Sequence, residues 1–183
     1  MCPTAAELYD EAFAAKLAPA MPDRAKRQAL LAAGMNPAMA IGALVGDDLV
    51  GLAGFHDQNG SLTSSITFGL LRQHLGLVGA LRAALVLAFL ERSPEPDELL
   101  MDGIVVSADH RGQGIGSKLF AELESYCRDQ SLTSIRLDVV DNNPGARRLY
   151  ERLGFEATRT VRTPYLRRVM GFGGATTMVK TLS

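Results

Sequence analysis

The chain of 183 residues is long enough to bury roughly 70% of the surface that its unfolded form exposes, and one domain over residues 1–183 is expected. Its composition, 47% hydrophobic and 21% charged, is that of a packed globular protein and excludes a disordered or fibrous one. A formal net charge of −1 argues against nonspecific nucleic-acid binding, which needs a basic excess to displace counterions from phosphate.

The opening MCPTAAELYDEAF lacks the basic-then-apolar order of a signal peptide, so a cytoplasmic protein is expected. Thr4 and Glu7 have capping-box spacing, and Leu8, Ala12, Phe13 and Leu17 continue at helical period until Pro19 and Pro22 end the helix. A second helix runs from Asp23 to about Ala33 and stops at Gly34. Two apolar, β-compatible runs over residues 38–55 flank Gly46-Asp47-Asp48 and predict a hairpin, followed by a turn from Asp57 to Gly60.

Residues 72–92 read as one long apolar helix. Its most membrane-like part, residues 75–90, carries Arg82 and is shorter than the about 20 residues a spanning helix needs, so no membrane segment is expected. Three uses stay open for this helix: packing in the core, covering an acceptor groove, or joining two copies in a homodimer. Cys2 and Cys127 are the only cysteines and the three histidines are scattered, so no metal site is expected, and Cys127 reads as core filler.

After the proline-rich connection 93–98 the pattern sharpens. Residues 99–106 form a strand, D-H-R-G-Q-G-I-G follows at 109–116, residues 117–130 have helical spacing, and residues 135–141 form a second strand. A right-handed crossover makes these two strands parallel, with the glycine loop at the carboxyl end of the first and the N-terminus of the helix. Unpaired N–H groups and the positive helix end make such a place an anion site, and Arg111 can add a charge-assisted contact. A tight turn without a ligand explains Gly112, Gly114 and Gly116 equally well. A Walker loop fails, because no glycine stands at 111, and a dinucleotide fingerprint needs a third glycine where Ser117 stands.

A second motif follows at 142–155, N-N-P-G-A-R-R-L-Y-E-R-L-G-F, with Asn143 as N-cap, Pro144 at the first helical position and Gly154 at the C-cap. Together, V-V-S-A-D-H-R-G-Q-G-I-G-S from Val105 and this second motif resemble the GNAT superfamily of acyl-CoA-dependent N-acetyltransferases, over roughly residues 99–158. The resemblance implies an α/β (α+β) fold: a mixed, mostly antiparallel central sheet with one parallel, splayed strand pair, flanked by helices. It divides the domain into an acceptor-side half (1–98), an acetyl-CoA-binding core (99–158) and C-terminal strands (159–183).

The same resemblance implies acetyl-CoA as co-substrate, with no metal. Its pyrophosphate would lie on the loop of Arg111, Gly112, Gln113, Gly114, Ile115, Gly116 and Ser117, and its pantetheine along the backbone of Ile104, Val105 and Val106. Asn143, Ala146 and Tyr150 complete the cofactor side, and a small-molecule or protein amine would be the acceptor. Tyr150 would protonate the leaving thiolate, since a phenol near pKa 10 is protonated at neutral pH. Asp102 matches an acidic position of the family, but a carboxylate near pKa 4 is about six units too weak to deprotonate an alkylammonium directly. It would hold the ammonium or pass its proton to water, or else simply mark a bulge beside Gly103.

Charge is uneven along the chain: residues 1–100 carry 11 acidic and 7 basic side chains (11 − 7, a net of −4), residues 101–183 carry 9 and 12 (12 − 9, a net of +3). A basic C-terminal half suits phosphorylated CoA, and an acidic N-terminal half suits a cationic amine. Two further readings stand beside the enzyme: a non-catalytic acyl-CoA-binding module and, behind it, a nucleotide-dependent oxidoreductase.

Overall fold

The computed structural model describes residues 3–163, 167 and 171–182, so Cys2 and Arg168 lie outside the described residues. Helices α1 (Pro3–Leu17) and α2 (Arg24–Gly34) precede strands β1 (Ala40–Val45) and β2 (Asp48–Asp57), and the two-residue β3 (Gly60–Ser61) folds back on β2. Then come α3 (Phe68–Leu90), β4 (Glu98–Val106), α4 (Ile115–Asp129), β5 (Ser134–Val140), α5 (Pro144–Arg152), β6 (Glu156–Arg162) and β7 (Gly174–Thr181). The sheet runs β1-β2-β4-β5-β7-β6, with β3 beside β2. Among the described residues only β4 and β5 are parallel; the other paired strands are antiparallel, so the expected mixed sheet forms.

Helices cover both faces. On one, α4 turns Leu119, Phe120, Leu123 and Cys127 onto Phe55, Leu99, Met101, Ile135 and Leu137, and all nine side chains are buried. Burial pushes the Cys127 thiol up to about 12, which keeps it an inert thiol as expected of core filler. On the other face α1 and α2 pack over Leu52, Leu62 and Val105, and α3 closes the layer through Leu71, Ala80 and Ala83. A fully buried leucine or phenylalanine contributes about 1.5–3 kcal/mol, so the two layers together supply most of the driving force.

Three details differ from the sequence expectation. Helix α1 begins at Pro3 and buries Tyr9 and Asp10, while Ala12 is exposed. Strand β5 buries Ile135, Leu137 and Val139 on one face only; the other carries Arg136 and Asp138, which pair with Glu98 and Arg92. Helix α3 is longer than residues 72–92 suggested at its start, is kinked at Gly76 (φ 72°), and over Phe68–Ala88 is by length and composition long and apolar enough to cross a membrane. Its inner face is buried, whereas Leu77, Val78, Leu81 and Leu85 are exposed.

The helical layer is cross-braced by a buried ion pair. Asp10 of α1 is 1% exposed and Arg27 of α2 is 4% exposed. Arg27 Nε donates to Asp10 Oδ1, Nη2 donates to Oδ2 at 3.2 Å, and Nη1 donates to the Met21 carbonyl at 2.7 Å. Removing one partner of such a pair strands a buried charge. Asp10→Ala is therefore expected to cost about 3–5 kcal/mol, read as a lower urea midpoint at unchanged slope.

Candidate functional site

Strands β4 and β5 are paired over Glu98–Ser134, Leu99–Ile135 and Leu100–Arg136 and then diverge. On its other edge β4 stays paired with β2 as far as Val106 opposite Gly51. Beyond Leu100, the β4 edge that faces β5 therefore has no strand partner, and this unpaired stretch includes Ile104, Val105 and Val106. The β2–β4 register also shifts: Gly54 lies opposite Gly103 but Phe55 opposite Met101, leaving Asp102 as the extra residue of a bulge. A Cβ at position 103 would sit 2.1 Å from the Phe13 ring, so any side chain there would have to displace that ring.

A 3₁₀ turn (Ala108–His110) leads from β4 into the glycine loop. Gly112 and Gly114 both have φ 77°, and Gly114 caps α4 in the left-handed conformation. A Cβ on either would meet nothing within 4 Å, so backbone conformation, not crowding, selects glycine here. The N–H groups of residues 112–117 donate to no acceptor among the described residues; the first loop-to-helix bond is Lys118 N to Gly114 O at 3.1 Å. Six consecutive free amides at the positive end of a 15-residue helix form an anion cradle. Arg111 Nε donates to the Val106 carbonyl at 3.1 Å, tying this loop to the open strand edge.

Helix α5 lies beside the cradle: a Cβ at Gly116 would touch Leu149 Cδ2 at 4.0 Å. Asn143 caps α5 by accepting from Ala146 N at 3.1 Å, with Pro144 in the first turn, as its sequence predicted. Tyr150 is 7% exposed and packs against Phe120 (centroids 5.7 Å) and Phe155 (5.9 Å). Its hydroxyl has no hydrogen-bond partner among the described residues, and burial pushes the phenol up to about 12. Phe120 stands five residues into α4, about 7.5 Å along the axis from Ile115, which brings Tyr150 near the cradle.

Asp102 belongs to the opposite face. It lines a cavity of about 470 Å³ enclosed by α1, β2, β4 and α3, together with Tyr9, Phe13, Lys16, His56 and Arg92. Asp102 Oδ2 is buried without a hydrogen-bond partner. Burial raises the Asp102 carboxyl above its usual range, against the attraction of His56, Arg92 and Lys16. Burial likewise lowers Lys16, to about 8, with Arg92 adding repulsion and Asp102 opposing it. The structure thus does not bring Tyr150 and Asp102 into one pocket; they flank the sheet on either side of the splay.

Sequence reasoning missed the companions of Asp102. Tyr9, Phe13 and Lys16 recur at i, i+4 and i+7 of α1, a stripe that was available as a signal, whereas His56 and Arg92 join them only through the fold. Glu98, the other carboxylate of β4, is committed to Arg136 at 2.6 Å. Another cavity, about 610 Å³, lies not at the glycine loop but between α5 and the ends of β5, β6 and β7. Asn143 lines it with Arg147, Arg162 and Arg167.

The sequence model of the Acetyltransferase (GNAT) family matches residues 3–155. An aminoglycoside N(6')-acetyltransferase type 1 of Klebsiella pneumoniae is 36% identical over 75 residues, 40% of this chain and 37% of that protein. The chain spans well under half the length of the first curated relatives it matches. Among solved structures, an acetyltransferase covers 99% of this chain and 95% of its own at 19% identity, with a TM-score of 0.61. A streptothricin acetyltransferase of Bacillus anthracis in complex with acetyl coenzyme A reaches 0.52 at 14% identity, over 79% of this chain and 62% of that one.

Because Gly114 must be left-handed and a Cβ there touches nothing, Gly114→Ala carries only the backbone penalty. A loss of about 1–2 kcal/mol is expected in chemical denaturation, with the core unchanged.

Proposed function

The chain belongs to the acetyltransferase (GNAT) family, and on that premise we propose that it is an acetyl-CoA-dependent N-acetyltransferase acting in the cytoplasm on a small-molecule or protein amine. The observation that carries the reading is the run of free amides at residues 112–117 directly beside the unpaired edge of β4. Residues 112–117 would hold the pyrophosphate, with Arg111 adding charge, and the backbone of Ile104, Val105 and Val106 would pair with the pantetheine as a further strand does. Acetyl-CoA supplies an activated thioester there, and a backbone N–H near Val106 would polarise its carbonyl.

Residues on the two faces then divide the proton work. The acceptor nitrogen, once a free amine, would gain the acetyl carbon and give up a second proton to water as the carbon–sulfur bond breaks, while Tyr150 Oη would give its proton to the departing sulfur and be refilled from solvent. The acceptor starts as an ammonium near pKa 10.4, and freeing its lone pair costs roughly 4–5 kcal/mol at pH 7. Asp102, through its unpartnered oxygen, would hold that ammonium while the surplus proton leaves through water. Asn143 is spent as a helix cap, so it and Ala146 would act by placing α5.

The packing of Tyr150 between Phe120 and Phe155 also suits a module that binds acyl-CoA without turnover. Two measurements separate these readings. Acetyl-CoA at about 100 times its dissociation constant is expected to add roughly 2.7 kcal/mol, a Tm rise of about 5–10 °C, while NADH adds none. Tyr150→Phe is expected to lower kcat about 10²–10⁴-fold with acetyl-CoA affinity retained; retained kcat would assign the acid elsewhere.

The raised Tyr150 pKa also has a pH consequence. The proton-donating form persists up to about 12, so this group contributes no loss of kcat between about pH 7 and 10. A descending limb centred near pH 8.5 in a pH–rate profile would identify a different donor.

A further inference from the structure

The cavity that holds Asp102 carries a charge pattern that narrows the acceptor. Its wall is mixed: Leu17, Met21, Ile66, Leu71 and Leu87 supply apolar surface, and Ser61, Thr63 and Ser64 supply hydroxyls beside the charged groups. Of its two long cations, Arg92 is already bound to Asp138. Lys16 is different. It forms no ion pair among the described residues and lies 5.8 Å from the Phe13 ring centroid, so it has given up water without gaining a counterion. Asp102 has the complementary deficit, one buried oxygen with no donor. Both side chains line the one cavity, and no ion pair joins them.

We propose that the acceptor is a primary amine that also bears a carboxylate on an apolar body, of the amino-acid class, with its carboxylate on Lys16 and its amino group on Asp102. The inference rests on the acetyltransferase reading and uses the transfer step written above. One small zwitterion, whose amino nitrogen and carboxylate carbon are bonded to the same carbon, would answer both unmet charges. The apolar part of the wall takes the side chain. A polycation of the aminoglycoside type fits the same cavity poorly, because its additional ammonium groups would lie against Lys16 and Arg92 with only Asp102 and Glu91 as acids in the lining. The acceptor named for the Klebsiella relative therefore does not carry over to this chain.

The test follows thiol release from acetyl-CoA with leucine, methionine and phenylalanine, with the amides of the same three, and with tobramycin. The free acids are expected to exceed their amides in kcat/KM by about 10- to 100-fold, the range that one charge-assisted hydrogen bond supplies. In Lys16→Met that advantage is expected to fall below about threefold, while Lys16→Arg retains it. Amides equal to or better than acids, an advantage that survives Lys16→Met, or a preference for tobramycin would each overturn the proposal. An acetyl-CoA thermal shift without turnover of any of the three acids overturns the substrate class alone. No thermal shift with acetyl-CoA overturns the acetyltransferase reading beneath it.

Discussion

Strands β4 and β5 are parallel neighbours over three residue pairs, and the site depends on their parting after Leu100 and Arg136. Two features fix the point of divergence. At the closed end, Glu98 and Arg136 pair across the strands and the Thr133 N–H bonds the Asp97 carbonyl at 2.8 Å. Just beyond, the bulge at Asp102 gives β4 one residue more than β2 opposite, which bends and twists the strand away. The Phe13 ring occupies the space a side chain at 103 would need, so α1 docks directly against the bulge. A strand edge buried in a sheet would have its amides spent on the ladder; here they stay free.

The splay also explains why the two halves of the site can lie on opposite faces. The amide cradle, α5 and Tyr150 belong to the layer built on α4, whereas Asp102, Lys16 and Arg92 belong to the layer built on α1 and α3. A continuous sheet would keep them apart. Where β4 and β5 part, no strand stands between the two layers. Burial concentrates in the sheet centre, on the inner face of α4 and in the α1–α2 layer that Asp10 and Arg27 brace.

Charge in this protein is arranged locally, not by halves of the chain. The N-terminal half is acidic overall, yet the cavity it builds carries Lys16, His56 and Arg92 beside Asp102 and Glu91. Of the C-terminal arginines, Arg147 is paired with Glu151 at 3.0 Å, and Arg162 and Arg167 line the cavity at the end of β5, away from the glycine loop. Free energy follows burial and pairing distance; a count of charges over a hundred residues records neither.

What the sequence alone determined is local. The glycine loop, the Asn143 cap, the hairpin turn and the α4 stripe each depend on residues within one or two turns of chain, where steric limits and capping chemistry act directly. The alternation of strands and helices, joined by a right-handed crossover, followed from the same signals. The face of α1 did not: alanines at 5, 6, 12, 14 and 15 surround the helix, so its periodicity does not say which side docks, and Tyr9 and Asp10 went inward where Ala12 was expected. The outward apolar face of α3 was hidden for the same reason, since a helix apolar all round has no preferred side. The cavity was beyond reach, because it joins residues from 9 to 102 that only sheet closure brings together. Pairing distance and desolvation, which give Lys16 and Asp102 their unmet charges, exist only once that closure has happened.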